Sequence, residues 1–423
     1  MFPFEPTKII SRLEIVKTSN KEKGRFFMPR ALWLLIIGMA VNVTGSSFLW
    51  PLNTIYIHEH LGKSLTVAGF VLMLNAGASV AGNLFGGALF DKIGGYKAIL
   101  LGIGITVVAL LGLTFWHGWP KYVVFLTIIG FGSGIVFPSM YAMAGTVWKK
   151  GGRSAFNAIY VAQNLGVAIG AALGGLVASY SFQWIFVANT LMYILFLFIA
   201  VFGYRGIQSR NTGGKQTNII EQSTSVKSHA KLYALLILCI GYLLCWVGYV
   251  QWQSTIASHT QELGITLKQY SVLWTINGAL IVIAQPIINK ILKPFAHHIK
   301  GQIIAGILIF ILSFAVASIA NEFSGFLTAM VILTVGEMLV WPAVPTIADK
   351  LAPKGREGFY QGIVNSTATG GRMIGPLLGG VLVDLYGHQM MLLFLITLFV
   401  ISIITTFLYD RNLQTRKMQY KQA

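Results

Sequence analysis

Two charged residues, Glu337 and Arg372, interrupt runs of apolar sequence that are long enough to cross a lipid bilayer. A charge at the centre of a bilayer costs about 2.5–3.5 kcal/mol on insertion scales, so such residues mark a functional site by default. An α-helix rises about 1.5 Å per residue, so Glu337 would lie about 18 Å along its helix from Asp349, and Arg372 about 24 Å from Arg356. Asp349 and Arg356 are both expected at the inner ends of their helices. The two charges are therefore expected at similar depth on neighbouring helices, where they can pair.

Two interpretations of this pair are open. In the first, Glu337 and Arg372 form a permanent buried ion pair that positions two helices. In the second, Glu337 is protonated in one conformation and releases its proton in another. Arg372 would then tune the acid or act as the counter-ion of a substrate. Because ionisable groups inside a membrane mark proton or substrate pathways, the second interpretation is favoured.

Aromatic residues recur along one apolar stretch, at Tyr242, Trp246, Tyr249 and Trp252. The intervals of four, three and three residues predict a single face of one helix. Such a face can line a binding cavity, but it can equally pack against other helices or anchor the helix at the membrane surface.

The segment GALFDKIGGYK at 87–97 separates two apolar runs. Gly87 and Gly94 suit a short turn, Lys92 is basic, and Asp91 is the one carboxylate of the segment. An acid at this position can cap a helix N-terminus or pair with a base on a neighbouring bundle. A solvated turn without either role is the alternative.

The segment GRMIGPLLGG at 371–380 contains Gly371, Gly375, Pro376, Gly379 and Gly380. Glycines at this spacing remove side chains from one face of a helix, so that another helix can approach closely. The segment GVAIGAALGG at 166–175 repeats the pattern. Two related halves are therefore expected, and internal repeats in a membrane protein are typical of transporters.

The composition indicates a membrane protein, because only 10% of the residues are charged, against roughly 25% in an average soluble domain. Apolar stretches that can hold a helix of about 20 residues lie at 31–57, 64–90, 98–120, 122–148, 232–261, 269–289 and 301–321. The stretch 154–204 fits two helices that turn near 179–181, and three further runs lie near 324–348, 357–383 and 387–409. We therefore predict an all-α integral membrane protein with twelve transmembrane helices.

The distribution of positive charge predicts the topology. If the N-terminus lies inside, all but four of the 31 Lys and Arg residues fall in the termini or in the inner loops; the exceptions are Lys63, Lys121, Lys268 and Arg372. The positive-inside rule then places both termini in the cytoplasm of a bacterial-type plasma membrane.

The same pattern divides the chain into five parts. They are an N-terminal segment at 1–30, a six-helix bundle at 31–205, a cytoplasmic linker at 206–231, a second six-helix bundle at 232–410 and a tail at 411–423. The linker is rich in Gly, Ser and Thr and basic, as a flexible connection between two bundles would be.

These motifs resemble those of the major facilitator superfamily. The segment 87–97 resembles the family's G-x-L-x-D-[RK]-x-G loop, and 371–380 resembles its G-x3-G-P-x2-G-G signature. The resemblance covers essentially residues 31–410, with departures. Gly95 stands where the family usually has a base, and Ile128 where many proton-coupled drug exporters have an arginine. Ala171 replaces the proline of the signature in the fifth span, and Asn289 stands where an acid is expected in the second half.

The resemblance implies a cavity lined by the first, fourth, seventh and tenth spans. The polar and aromatic residues that it nominates in the first, fourth and seventh spans are Asn42, Trp50, Asn53, Tyr141, Tyr242, Trp246, Tyr249 and Trp252.

The expected function is secondary active transport by alternating access, specifically proton-coupled export of a small amphiphilic or drug-like solute. Flipping of a lipid or glycolipid is the nearest alternative. A channel or a polytopic enzyme is disfavoured, because the repeat and linker suit a carrier and no cluster of His, Asp or Ser for catalysis is apparent. Without a phosphate-binding Gly-x4-Gly-Lys motif, ATP is not expected to drive it. We expect a monomer with protons and membrane lipids as further partners, and no cofactor, metal or nucleic acid.

Overall fold

The computed structural model describes residues 28–49, 53, 56–63, 65–207, 226–292, 294 and 298–411. Its regular elements are all helical, and eleven of its helical segments are long and apolar enough to cross a membrane. Most of the predicted N-terminal segment, linker and tail lie outside the described residues, as does Trp50.

The helices of the first half are α1 (Arg30–Leu49), α2 (Leu65–Ile93), α3 (Gly95–Phe115), α4 (Lys121–Val147), α5 (Arg153–Tyr180) and α6 (Phe182–Gly203). Those of the second half are α7 (Val226–Tyr249), α8 (Thr255–Glu262), α9 (Leu267–Leu292), α10 (Ile299–Ile319), α11 (Phe323–Val340), α12 (Ala343–Leu351) and α13 (Glu357–Leu408).

Two predicted features of the helices can be compared directly. The turn expected near 179–181 is present, since α5 ends at Tyr180 and Ser181 is extended. The hydroxyl of Ser181 accepts a hydrogen bond from the backbone N–H of Gln183 and so caps α6. The stretch 232–261, expected as one helix, is broken instead: α7 passes into a 3₁₀ turn at Val250–Gln253 before α8 begins.

The last element, α13, is 52 residues long. A straight helix of that length would extend about 78 Å, more than twice the roughly 30 Å hydrocarbon core of a bilayer. Gly387 interrupts it with φ 80° and ψ 168°, a conformation that glycine adopts without steric cost. The interruption divides α13 into arms at 357–386 and 388–408.

The buried apolar residues separate by half. Two clusters draw only on residues between Leu32 and Ile207, and the third draws on residues between Ala234 and Tyr409 together with Tyr160 of α5. Helices α2 and α4 pack against α13, and α5 packs against α9 and α12. The two halves thus have their own cores and meet along these helices.

The glycine patterns allow close contacts between helices at equivalent places in the two halves, and we call these contacts the glycine seams. In the first half, a Cβ on Gly166 would lie 2.7 Å from the carbonyl oxygen of Ala40, so α5 lies directly on α1. In the second half, a Cβ on Gly371 would lie 2.5 Å from Cβ of Trp246, so α13 lies directly on α7. The expected close approach is present at both seams, and the repeat seen in the sequence is therefore also a repeat in the packing.

The glycine seams predict different effects on stability for two glycine substitutions in the same motif. Gly371→Ala should destabilise the fold by about 1–3 kcal/mol, because its methyl group collides with Trp246 and with the carbonyl of Leu243. Gly380→Ala, in the same motif, should be tolerated, because no atom lies within 4 Å of its added Cβ. Thermal unfolding in detergent measures the difference, and equal melting temperatures for the two variants would contradict the packing described.

Candidate functional site

Glu337 is a buried carboxylate that bonds to groups from both halves of the chain. Its Oε1 accepts a hydrogen bond of 2.7 Å from Nδ2 of Asn277 in α9. Its Oε2 accepts one of 3.3 Å from the hydroxyl of Tyr160, which belongs to α5 in the first half. Tyr249 and Trp341 also lie beside the carboxylate. The carboxylate therefore joins α11 to the first half at the level of the buried core.

Four aromatic rings form a continuous wall beside Glu337. Trp246 stacks on Trp341 with a centroid separation of 4.4 Å and an interplanar angle of 13°. Tyr242 and Tyr249 meet Trp341 edge-on at 5.6 and 5.5 Å. We call these four residues the aromatic wall. Three of them are among the four residues that the periodicity of the sequence groups on one helix face, and Trp341 is added from the end of α11.

Arg372 lies on the aromatic wall and not on the acid. Its guanidinium sits 4.7 Å from the centroid of the Trp246 ring, a cation–π arrangement. Its Nη2 donates a hydrogen bond of 3.3 Å to the hydroxyl of Thr369. Among the described residues, Arg372 and Glu337 form no salt bridge. The two charges are thus held separately in this conformation, because α13 presents Arg372 to α7 while Glu337 faces α9 and α5.

Of the remaining nominated residues, Tyr141 lies close enough to Tyr242 and Arg372 to interact with them electrostatically. Tyr141 donates a hydrogen bond of 2.7 Å to Gln163. Asn42 is fully buried, and neither polar atom of its side chain has a hydrogen-bond partner among the described residues. A buried amide in this state is unusual.

Two nominated residues lie away from the aromatic wall. Asn53 accepts a hydrogen bond of 2.6 Å from Tyr122, within a separate apolar cluster. Trp252 is fully buried against Phe314, because the 3₁₀ turn after Tyr249 rotates it away from the helical face on which it was expected. Neither residue belongs to the site around Glu337.

Asp91 closes one end of the interface between the halves. Its two carboxylate oxygens accept hydrogen bonds of 2.8 and 2.9 Å from the backbone N–H groups of Gly358 and Phe359. These groups begin α13, where the helix dipole attracts negative charge. Of the two roles expected for this acid, the geometry matches the helix cap. We call this part of the molecule the Asp91 end.

The other residues of the 87–97 segment shape this contact. Gly87 lies directly on the backbone of Gly358, where no side chain would fit. Gly94, with φ 85°, forms the break between α2 and α3, and Lys92 is exposed.

A second set of polar contacts joins the halves at the same end. Arg153, at the start of α5, donates from Nη2 to the carbonyl oxygens of Met338 and Leu339 at 2.8 and 3.1 Å, and from Nη1 to Gln302. Asn157 donates to Asn289, which occupies the second-half position corresponding to Asp91. These contacts and those of Asp91 hold the two halves together at the Asp91 end.

Sequence reasoning missed Tyr160, Asn277 and Trp341 as partners of Glu337. Tyr160 lies in the predicted fifth span and Asn277 in the eighth, which the expected lining spans do not include. Trp341 follows Glu337 by one helical turn, so the i, i+4 spacing was the one available signal.

Comparison with known proteins gives a consistent assignment. The family model described as Major Facilitator Superfamily matches residues 35–376 and 256–419. The MFS-type transporter YttB of Bacillus subtilis (strain 168) is 63% identical over 396 residues, covering 94% of this chain and 99% of the relative. A Na(+), Li(+), K(+)/H(+) antiporter of Planococcus maritimus is 24% identical, covering 84% of this chain and 86% of the relative. The solved structure of the human organic anion transporter MFSD10 superimposes with a TM-score of 0.71 at 14% identity, covering 90% of this chain and all of that one.

The Asp91 cap predicts a conformational effect. Asp91→Asn should weaken closure of the Asp91 end by about 1 kcal/mol, the net value of one hydrogen bond, because an amide has one acceptor oxygen for the two backbone N–H groups. That is about fivefold in population. A cysteine at Ser366, whose hydroxyl bonds across the interface to the carbonyl of Val80, reports opening through its rate of labelling by a water-soluble maleimide. The native Cys239 and Cys245 are buried.

Lys92→Gln is the matched control, because it changes the charge of the same segment on an exposed side chain. Faster labelling is expected with Asp91→Asn alone. Equal labelling rates in the two variants would show that the cap does not hold the interface.

Proposed function

Because this chain belongs to the major facilitator superfamily, we propose that it is a proton-coupled exporter of small amphiphilic or drug-like solutes. Membership makes the chain a multi-pass membrane transporter, and the proposal adds the coupling ion, the direction and the class of solute. Transport would follow alternating access, in which two bundles rock about a site between them.

We propose an architecture of twelve spans in two six-helix bundles, at 31–205 and 232–410, joined by a cytoplasmic linker at 206–231. The interruption of α13 at Gly387 supports counting its two arms as separate spans. The separate apolar cores and the equivalent glycine seams support two bundles. The surplus of Lys and Arg in alternate loops supports cytoplasmic termini in the plasma membrane and a cytoplasmic Asp91 end.

The bond between Tyr160 and Glu337 is the observation that carries the coupling proposal. A charged carboxylate accepts stronger hydrogen bonds than a neutral one, so an ionised Glu337 holds the two halves together. Protonation weakens that hold. It also removes the cost of an unbalanced charge among apolar side chains, because Arg372 does not compensate it in this conformation.

This dependence gives an exchange cycle. With the cytoplasmic end closed, Glu337 takes a proton from the outer side, its bond to Tyr160 weakens, and the halves separate at the Asp91 end. The proton is then released to the cytoplasm while a solute enters the site. Return of the ionised carboxylate to Tyr160 closes the cytoplasmic end and exposes the solute to the outer side. One proton moves inward as one solute moves outward.

The class of solute follows from the aromatic wall and its charges. The stacked rings of Trp246 and Trp341 offer an apolar surface for a planar or lipophilic group. Arg372, whose guanidinium lies against Trp246, supplies a polar contact. Multidrug resistance protein MdtH of Aeromonas hydrophila, 21% identical to this chain, supports a drug-like solute by its name.

The test uses proteoliposomes with an acidic lumen, in which outward proton flow should drive dye uptake. Ethidium and the sulfonated dye sulforhodamine B serve as cationic and anionic probes. Glu337→Gln should abolish gradient-driven uptake, because the amide can accept the hydrogen bond of Tyr160 but cannot carry a proton between the two sides. Accumulated dye is measured by fluorescence.

Glu322→Gln is the matched control, since it makes the same change on an exposed residue at the start of the same helix, α11. It should transport like the wild type. Undiminished uptake by Glu337→Gln would refute the coupling role. Exchange of K⁺ or Na⁺ for protons without movement of either dye would instead favour alkali-cation exchange, the activity in the name of the Planococcus maritimus relative.

A further inference from the structure

Three side chains of the types that can bind a metal ion lie close together at the end of the molecule opposite the Asp91 end. They are His259 and Glu262 of α8 and His388 of α13, and one potential ligand atom from each lies within 4.8 Å of the others. Oε2 of Glu262 is 3.1 Å from Nε2 of His388 and 3.5 Å from Nδ1 of His259.

The backbone explains why these residues meet. His259 and Glu262 are three residues apart on one short helix, so their side chains share a face. His388 directly follows Gly387, whose φ of 80° turns the second arm of α13 toward α8. No metal site was expected from the sequence, because His388 is far from the other two residues along the chain and no local spacing links them.

The exposure of the three side chains suits an ion taken from solution. The histidines are 24% and 16% exposed, whereas Glu262 is 61% exposed. Nδ1 of His259 is buried and makes no hydrogen bond to a described residue. At 3.5 Å from Oε2 of Glu262, this nitrogen is within ion-pair distance but longer than an ordinary hydrogen bond, and an ion bound between the two atoms would contact both.

We propose that His259, Glu262 and His388 bind a divalent first-row transition-metal ion such as Zn²⁺. Ligands at 2.0–2.1 Å around a tetrahedral ion are about 3.3 Å apart, and the two distances from Glu262 lie on either side of that value. Two imidazoles and one carboxylate with an open fourth position for water form a common zinc ligand set. Imidazole ligands also favour zinc, nickel and copper over Mg²⁺ or Ca²⁺.

Metal binding requires a small rotation of the histidine rings. The two rings stack at 4.1 Å with an interplanar angle of 26°, whereas an ion lies in the plane of each ring that binds it. Turning each ring about its Cβ–Cγ bond leaves its centroid in place but tilts its plane, so that a nitrogen of each ring can face one point beside Glu262. The bound ion then ties α8 to the second arm of α13 within the second half.

The test measures Zn²⁺ binding to the purified, tag-free full chain in detergent, by competition with a fluorescent chelator. The wild type should bind one ion, and His388→Ala should raise the dissociation constant at least about tenfold, the smallest loss expected even for an outer partner of a ligand. Co²⁺ provides an independent readout, because its visible absorption strengthens when the ion becomes tetrahedral.

Two variants complete the experiment. Glu262→Gln should weaken binding in the same direction, while His298→Ala, which removes an exposed histidine elsewhere, should leave it unchanged. Melting temperatures without metal identify any variant that fails to fold. Two outcomes would overturn the proposed metal site. In the first, folded His388→Ala and Glu262→Gln bind Zn²⁺ with wild-type affinity; in the second, His298→Ala loses as much affinity as they do. Either result would mean that the three residues form only a hydrogen-bonded His–Glu–His cluster.

Discussion

The arrangement of the molecule around its interface depends on one carboxylate held in an apolar interior. Glu337 is 2% exposed and bonds to Asn277 of its own half and to Tyr160 of the other. A buried charge is tolerated only where hydrogen bonds compensate it. Since one of these bonds crosses between the halves, we propose that the charge of Glu337 and the separation of the halves change together.

The packing inside each half would allow a change in the charge of Glu337 to move whole halves relative to each other. Glycine seams hold α5 on α1 and α13 on α7 at backbone distance, so each half can move as a unit. The contacts between the halves at the Asp91 end include three polar sets. Asp91 caps the start of α13, Arg153 donates to backbone carbonyls of α11, and Asn157 donates to Asn289. Polar contacts of this kind can be exchanged for water when the interface opens, whereas the apolar cores of the halves stay intact.

The sequence predicted features that depend on local order along one helix. Apolar length, the glycine spacing and the turn at Ser181 are of this kind. It did not predict features that depend on the rotation of one helix against another. Glu337 and Arg372, which were expected at similar depth, face different neighbours, and Tyr160 comes from a distant segment. Trp252 does not lie on the predicted aromatic face of α7, because that helix ends at Tyr249. A prediction from periodicity assumes that the helix continues.

The most direct test of the account measures the distance between the halves as the pH changes. Spin labels on cysteines at Lys150 and Lys354, both exposed at the Asp91 end, report this separation by pulsed electron paramagnetic resonance. In the wild type, acidification should populate longer distances. Glu337→Gln, which resembles the protonated acid at every pH, should show the longer distances without pH dependence. The same pH-dependent change in the variant would contradict the claim that Glu337 couples protons to the movement of the halves.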